Sequence, residues 1–280
     1  MSKTEQNKIQ PVIKWAGGKR QLVATLKEEM PKTFNTYHEP FFGGGALFCE
    51  LHPHPAIIND TNGQLINLYR QIAVNPEALC EELDVLQAKY NAESEMSKKD
   101  ELFYNTRSRF NEALTNNESS VKSAAILIFL NKVGFNGVYR VNRAGLYNVP
   151  SSHKKTVNCY DKKNIIALSA LLKNTQILCG DFEEACKEAK SGDFVFFDSP
   201  YYDTFDTYQA GGFSEDDHVR LFNCFKALSE KGVYCMATNN ACGFITELYR
   251  GFQIKEVDVK RMINRDKNNR KGKEVIIKNY

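Results

Sequence analysis

Three short clusters in this sequence combine residue types that can do chemistry. The most specific is Phe194-Val195-Phe196-Phe197-Asp198-Ser199-Pro200-Tyr201. Four consecutive apolar residues read as a strand buried on both faces. That strand delivers in succession a carboxylate, a backbone carbonyl, a proline-fixed turn and an aromatic ring. An exocyclic amine on a nucleobase is a poor nucleophile because its lone pair is delocalised into the ring. A carboxylate and a carbonyl that accept its two hydrogens pull the nitrogen towards sp3 and free the pair, and an adjacent tyrosine can stack on the base. A base in a duplex must leave the helix to reach such a turn. A buried acid capping a turn, with Tyr201 in the core, is the plainer alternative.

The second cluster is Glu39-Pro40-Phe41-Phe42-Gly43-Gly44-Gly45, with Asp60 ending the next apolar run. Glycines at a strand-to-helix turn let the backbone approach a ligand, and an acid at the tip of the second strand can accept from ribose hydroxyls. A dinucleotide fingerprint needs a third glycine where Phe48 stands, so a nicotinamide cofactor is disfavoured. The third cluster, Lys14-Trp15-Ala16-Gly17-Gly18-Lys19, is not a phosphate loop. Ile13 and Arg20 occupy the positions that would have to be Gly and Ser or Thr. A glycine turn opening a helix still offers N–H groups to an anion, and Lys19 adds charge.

The elements that must position these clusters alternate. A helix from about Lys19 to Glu29, a strand over Thr36–Phe42, the glycine turn and a strand over Ala56–Asn59 form the opening of a doubly wound α/β sheet. Helical spacing then runs through 64–73, 76–90, 99–114 and 121–132, followed by a Gly-, Asn- and Tyr-rich hairpin or loop over 135–149. Alternation resumes with a helix at 162–173, a strand at 175–179, a helix at 182–190, the strand at 194–197, a helix at 215–229 and a strand at 233–237. Two closing strands follow near 252–259 and 274–278. The division expected is a catalytic unit of residues 1–61 and 161–280, with an inserted helical unit of residues 62–160.

The 280 residues are 42% apolar and 25% charged, an ordinary globular balance that excludes a disordered, collagenous or coiled-coil chain. The longest strongly apolar run, Ala124–Leu130, is far short of a membrane span. Residues Met1–Pro11 carry no apolar signal segment, so the expected location is the cytoplasm. Eight cysteines form no C-x-x-C pair and are expected as reduced, buried thiols, and the five scattered histidines suggest no metal site. The net charge of +3 is uninformative, but its distribution is not. Residues 119–160 hold no acid beside Lys122, Lys132, Arg140, Arg143, Lys154 and Lys155. Residues 260–273 hold seven basic residues against Asp266 alone. Two basic patches on a nearly neutral chain suit a polyanion groove, or merely a solvated surface.

The three clusters, in this order, resemble those of Dam-type, D12-class DNA adenine-N6 methyltransferases. The resemblance covers nearly the whole chain, down to the closing Ile276-Ile277-Lys278-Asn279-Tyr280. It implies a Rossmann-like sheet that uses S-adenosylmethionine without a metal, with the inserted unit reading double-stranded DNA. It places Trp15, Ala16, Gly17 and Lys19 at the methionine end of the cofactor and Phe42, Gly43 and Gly45 along its middle. Asp60 would hold the ribose, with Asp181 and Phe182 at the adenine. Asp198, Ser199, Pro200 and Tyr201 would hold the target adenine for direct transfer. One departure is that the family's usual D-P-P-Y reads Asp198-Ser199-Pro200-Tyr201. Serine keeps the backbone carbonyl but is less rigid than proline.

Residues 135–150 are similar to the recognition hairpin of that family, which implies the site GATC. Arg140 would read a guanine, Phe135 would wedge into the stack, Val138 would touch a thymine methyl and Lys14 would meet the outer guanine. Asn136, Asn142, Arg143, Lys154 and Lys155 would add DNA contacts, as would Arg270 and Lys271 in a phosphate-binding loop. The stretch 202–213 is expected to close over the flipped base. Rival readings are a methyltransferase acting on cytosine N4, RNA or glutamine, and a cofactor-dependent DNA-binding protein with impaired catalysis. A monomer is favoured. The biological setting, whether stand-alone, phage or restriction-modification, stays open.

Overall fold

The computed structural model describes residues 8–202, 212–260 and 271–280. The stretch expected to close over a base falls mostly on 203–211 and so lies outside the described residues. The elements are α1 (Val23–Glu29), β1 (Tyr37–Glu39), α2 (Ala46–Leu51), β2 (Ala56–Asp60), α3 (Gly63–Val74), α4 (Pro76–Ala92), α5 (Met96–Thr115) and α6 (Val121–Val133). A 3-10 turn (Phe135–Gly137) follows, then α7 (Lys162–Leu172), β3 (Thr175–Cys179), α8 (Phe182–Cys186), β4 (Phe194–Phe197), α9 (Glu215–Glu230) and β5 (Tyr234–Asn240). The chain continues through α10 (Gly243–Leu248), β6 (Gln253–Lys260) and β7 (Lys271–Lys278).

Among the described residues, seven strands form one mixed sheet in the order β3-β2-β1-β4-β5-β7-β6. The five strands from β3 to β5 pair in parallel, and β7 runs antiparallel to both β5 and β6. This arrangement is consistent with a methyltransferase fold. Strand order reverses between β1 and β4, the place where an open α/β sheet leaves a crevice at its carboxyl edge.

Strand β4 sits between two apolar layers, and none of its four residues is more than 1% exposed. Phe194 and Phe196 join a cluster with Tyr37, Ile58, Phe48 and the helices of residues 63–133, while Val195 and Phe197 join Leu221, Phe225 and Ile277 on the other face. Burying side chains of this size contributes about 2–3 kcal/mol each. The helices after β2 therefore share one continuous apolar cluster with the sheet. Helix α6 is apolar nearly all round, as a helix packed on several sides must be. Its start is fixed by a capping box in which Ser120 and Ser123 satisfy each other's backbone N–H groups.

Several boundaries differ from expectation for local reasons. Residues 19–22 form a turn, so α1 begins only at Val23. The first strand stops at Glu39 because Pro40 has no N–H, and the Phe42 N–H turns aside to the Asn59 carbonyl at 2.8 Å. The short α10 was not expected at all. The segment 135–150 is a compact loop with isolated bridges Gly134–Ser151 and Val141–Tyr147 instead of a laddered hairpin. The basic loop expected over 260–273 is shorter than that, since β6 runs to Lys260 and β7 begins at Lys271. Of the eight cysteines, all free, Cys179 is exposed and Cys224 and Cys242 are half-buried, contrary to the expectation of uniformly buried thiols.

Asn131 clips the amino-terminal segment to this body. Its Oδ1 accepts from the Lys14 N–H at 2.9 Å, and its Nδ2 donates to the carbonyls of Lys14 at 2.9 Å and Gly137 at 2.8 Å. Asn131→Ala would orphan those groups and is expected to lower stability by about 2–3 kcal/mol in urea titration; an unchanged midpoint would show that the clip is dispensable. His218, 2% exposed beside Phe213 and Tyr202, has its pKa pushed down to about 4 by burial. Above about pH 6.5 the folded and unfolded chains are both neutral there. As the pH falls from 6.5 towards 4, only the unfolded chain takes up the proton, so stability drops by up to about 3 kcal/mol. Calorimetry on His218→Phe is expected to show a flatter slope in that window.

Candidate active site

The turns that follow β1, β2, β3 and β4 meet at the carboxyl edge of the sheet. The β1 turn carries Phe42, Gly43 and Gly45, the β2 tip carries Asp60, the β3 exit carries Asp181, and the β4 exit carries Asp198. Asn59, which sequence reading passed over, ties the β1 and β3 exits together by donating to the carbonyls of Pro40 and Gly180, both at 2.9 Å. Asp60 accepts from the N–H groups of Gly43 and Asn62 at 2.9 Å, while burial raises its pKa against those bonds.

Two of the glycines are obligatory. Gly43 has φ +49° and a Cβ there would stand 2.9 Å from Trp15 Cδ1; Gly45 has φ +62° and its Cβ would lie 2.4 Å from Phe42 Cζ. The cradle is thus walled by Trp15 and Phe42, with the Gly43 carbonyl held by the Tyr69 hydroxyl at 2.8 Å. Trp15 in turn stacks on Tyr139 with ring centres 5.0 Å apart. Tyr139 is 3% exposed and its hydroxyl meets the Asn62 side chain; burial first, and Asp60 second, push its pKa up. Its neighbours differ: Val138 is half-buried against the same apolar cluster and Arg140 is exposed, so no simple alternation marked Tyr139 as an inward residue.

At the β4 exit, Asp198 is held on one oxygen. Lys19 Nζ lies 2.5 Å and the Thr238 hydroxyl 2.7 Å from Oδ1. Lys19 is 6% exposed, donates also to the Gly17 carbonyl, and stands 4.6 Å from the centre of the Tyr201 ring. The Tyr201 hydroxyl donates to Glu274 at 2.7 Å, and burial followed by the charge of Asp198 drives its pKa upward. Nearby, buried Glu39 accepts from the Tyr37 hydroxyl at 2.8 Å; burial raises its pKa and Lys19 opposes the rise. The backbone after Tyr201 is fixed by Asn239, which accepts from the Tyr202 N–H, and Asn240, which donates to its carbonyl. Ser199 is 4% exposed and its hydroxyl finds no partner among the described residues. The result is a preorganised carboxylate with its second oxygen free of these donors, a carbonyl and a ring in one corner, which suits an amine acceptor better than a nucleophilic or hydrolytic reaction.

Asp181 caps α8, accepting from the Glu183 N–H at 2.9 Å, and buried Phe182 stacks on Phe41 with centres 5.2 Å apart. Away from this corner, Phe135 is 54% exposed and Asn136 sits at φ +57°. Arg140 is steadied by Asn148, with Nε 2.7 Å from Oδ1. Asn142 has a task not foreseen, its Oδ1 accepting from the N–H groups of Ala144 and Leu146 to shape the loop tip. Lys14, Arg143, Lys154 and Lys155 are exposed, and Lys154 donates to the Lys132 carbonyl. Arg270 lies outside the described residues, and Lys271 opens β7 opposite Lys260 instead of lying in a loop. No group of residues suited to a metal is found among the described residues, and none of their helices is long and apolar enough to cross a membrane.

A glycine cradle, a buried acid at the β2 tip and a held carboxylate at the β4 exit meet at the switch point of a mixed α/β sheet, an arrangement consistent with an α/β transferase of the methyltransferase kind. The chain belongs to the D12 class N6 adenine-specific DNA methyltransferases, whose family model matches residues 15–263. It is 42% identical to Type II methyltransferase M1.LlaDCHI of Lactococcus lactis subsp. cremoris, covering 100% of this chain and 99% of the relative. It is 38% identical to Type II methyltransferase M.MjaIII of Methanocaldococcus jannaschii over 97% of this chain and 99% of the relative. A DNA adenine methylase of Vibrio cholerae is 29% identical, with 91% and 90% covered. The chain is therefore an adenine-specific DNA methyltransferase, of a family that draws its methyl group from S-adenosylmethionine.

Thr238 came from no motif, because its partner lies forty positions earlier in the chain. Thr238→Val removes the hydroxyl while keeping its shape and is expected to slow single-turnover methyl transfer about tenfold with cofactor affinity unchanged. A rate equal to that of the wild type would mean that Lys19 alone orients Asp198.

Proposed function

We propose that this enzyme methylates adenine N6 at GATC in double-stranded DNA after flipping the base out of the helix, acting as a monomer in the cytoplasm. The observation that carries the reading is the doubly held Asp198 beside the Ser199 carbonyl and the Tyr201 ring. In this reading Asp198 Oδ2 and the Ser199 carbonyl accept the two amine hydrogens, and Pro200 fixes the turn between them. The nitrogen lone pair is released towards the methyl donor, and Tyr201 stacks on the base. The surplus proton leaves through Asp198 or water after transfer.

The cradle fits the cofactor. Trp15, Ala16, Gly17 and Lys19 line its methionine end, Phe42, Gly43 and Gly45 its middle, Asp60 its ribose, and Asp181 with the Phe182 N–H its adenine. When bound, S-adenosylmethionine supplies an electrophilic methyl group, so no metal or covalent enzyme intermediate is needed. Glycines whose Cβ atoms would strike Trp15 and Phe42 support this fit, since only bare backbone keeps the cradle open.

Residues 62–160 serve as the recognition unit. Exposed Phe135 suits a wedge into the stack, and Arg140, aimed by Asn148, suits a guanine edge in the major groove. Val138 reaches a thymine methyl and Lys14 the outer guanine, while Asn136, Asn142, Arg143, Lys154, Lys155, Arg270 and Lys271 meet the backbone or neighbouring bases. The deciding experiment is single-turnover transfer of labelled methyl to duplexes carrying GATC, GTTC or scrambled sites, with Asp198→Ala as control. Transfer confined to GATC and lost in the control is expected; equal transfer to all three duplexes would overturn the site assignment. Charge reversal at Lys154 and Lys155 is expected to weaken DNA binding and flatten its salt dependence.

A further inference from the structure

We propose that Arg220, on α9, is a positioning residue that fixes the Asp181 carboxylate so that it can accept from the amine of the cofactor's adenine. This rests on the assignment of Asp181 under Proposed function. One guanidinium gathers three acids. Arg220 NH2 lies 3.0 Å from both oxygens of Asp181 and 2.8 Å from Glu183 Oε2, and NH1 lies 3.1 Å from Asp217 Oδ1. The guanidinium carbon also stands 5.0 Å from the centre of the Phe182 ring.

Stability alone does not account for this arrangement. All four side chains are partly exposed, where an ion pair contributes little, and three carboxylates around one cation leave two negative charges uncompensated. The geometry does account for a fixed acceptor. Asp181 Oδ1 is already committed to the Glu183 N–H, and Arg220 spans both oxygens, so the carboxylate plane cannot rotate towards solvent. The Phe182 N–H, in the first turn of α8, has no partner within its helix. An acceptor and a donor thus stand side by side, matching adenine, which presents an amine next to an acceptor ring nitrogen. The same guanidinium lies over the ring of Phe182 and so holds both members of the pair. Lysine could supply the charge but not the fork that reaches Asp181 and Asp217 together.

The test is calorimetric binding to the full chain of S-adenosylhomocysteine and of its purine analogue, in which the amine is replaced by hydrogen and the ring nitrogen stays an acceptor. The wild type is expected to favour the adenosyl compound. Arg220→Ala should weaken that compound roughly tenfold and leave the purine analogue within about twofold, so that discrimination collapses. Asp181→Ala should abolish the same discrimination, and the double variant should lose nothing more. If Asp181→Ala abolishes discrimination but Arg220→Ala weakens both compounds equally or neither, Arg220 is only a staple between α8 and α9, whatever happens to the melting temperature. Discrimination that survives Asp181→Ala overturns the assignment of Asp181 itself, and the role of Arg220 with it.

Discussion

The burial of β4 on both faces is the constraint on which the site depends. Its side chains alternate between two apolar clusters, so a slip of one residue would exchange the phenylalanines facing the helical layer for the smaller set facing α9. Register is therefore strongly specified, and the first residue past the apolar run must emerge at the carboxyl edge. That residue is Asp198. Neither the proline-fixed turn nor the donors around the carboxylate would have a fixed target if the strand could shift.

Placing a carboxylate there creates an electrostatic problem that the surrounding residues solve. Glu39, Asp198 and Glu274 all approach the same corner, and Lys19 is the cation buried among them. An unpaired charge in such a place would be costly, and a hydroxyl donor is attached to each of the three acids: Tyr37 to Glu39, Thr238 to Asp198 and Tyr201 to Glu274. The corner is polar yet closely satisfied, so its acceptors stand fixed without prior rearrangement of the protein. The Ser199 hydroxyl, without a partner among the described residues and at the position where the family of the resemblance usually carries proline, is the exception.

Local pattern made much of this legible. The strands at 175–179 and 194–197 have the bounds read from their apolar runs, and the acids at the strand tips were visible as breaks in those runs. What escaped sequence reading is pairing at a distance. Asn131 answers Lys14, Glu274 answers Tyr201, and Arg220 answers Asp181, each across a large separation that no periodicity encodes. Asn59 was hidden for another reason: it was read only as the last residue of a strand, when its amide in fact joins two turns. Of the hairpin or loop expected over 135–149, a compact loop is found, in which Asn142 and Asn148 spend their side chains on the loop's own backbone and on Arg140.

The position of β7 carries a consequence for how the molecule comes into being. It follows β6 along the chain yet lies inside it, between β5 and β6, and it brings Glu274 to Tyr201. Strands β1 and β4, neighbours in the sheet through the Tyr37–Phe194 pairing, are likewise separated by the entire helical stretch. A chain emerging from the ribosome can form its local helices early but must wait for these non-local pairings. Until β7 arrives, β5 presents a bare edge of the kind that pairs indiscriminately with other chains. The enzyme thus spends its most aggregation-prone interval with its helices already formed and the corner around Tyr201 and Glu274 still unfinished.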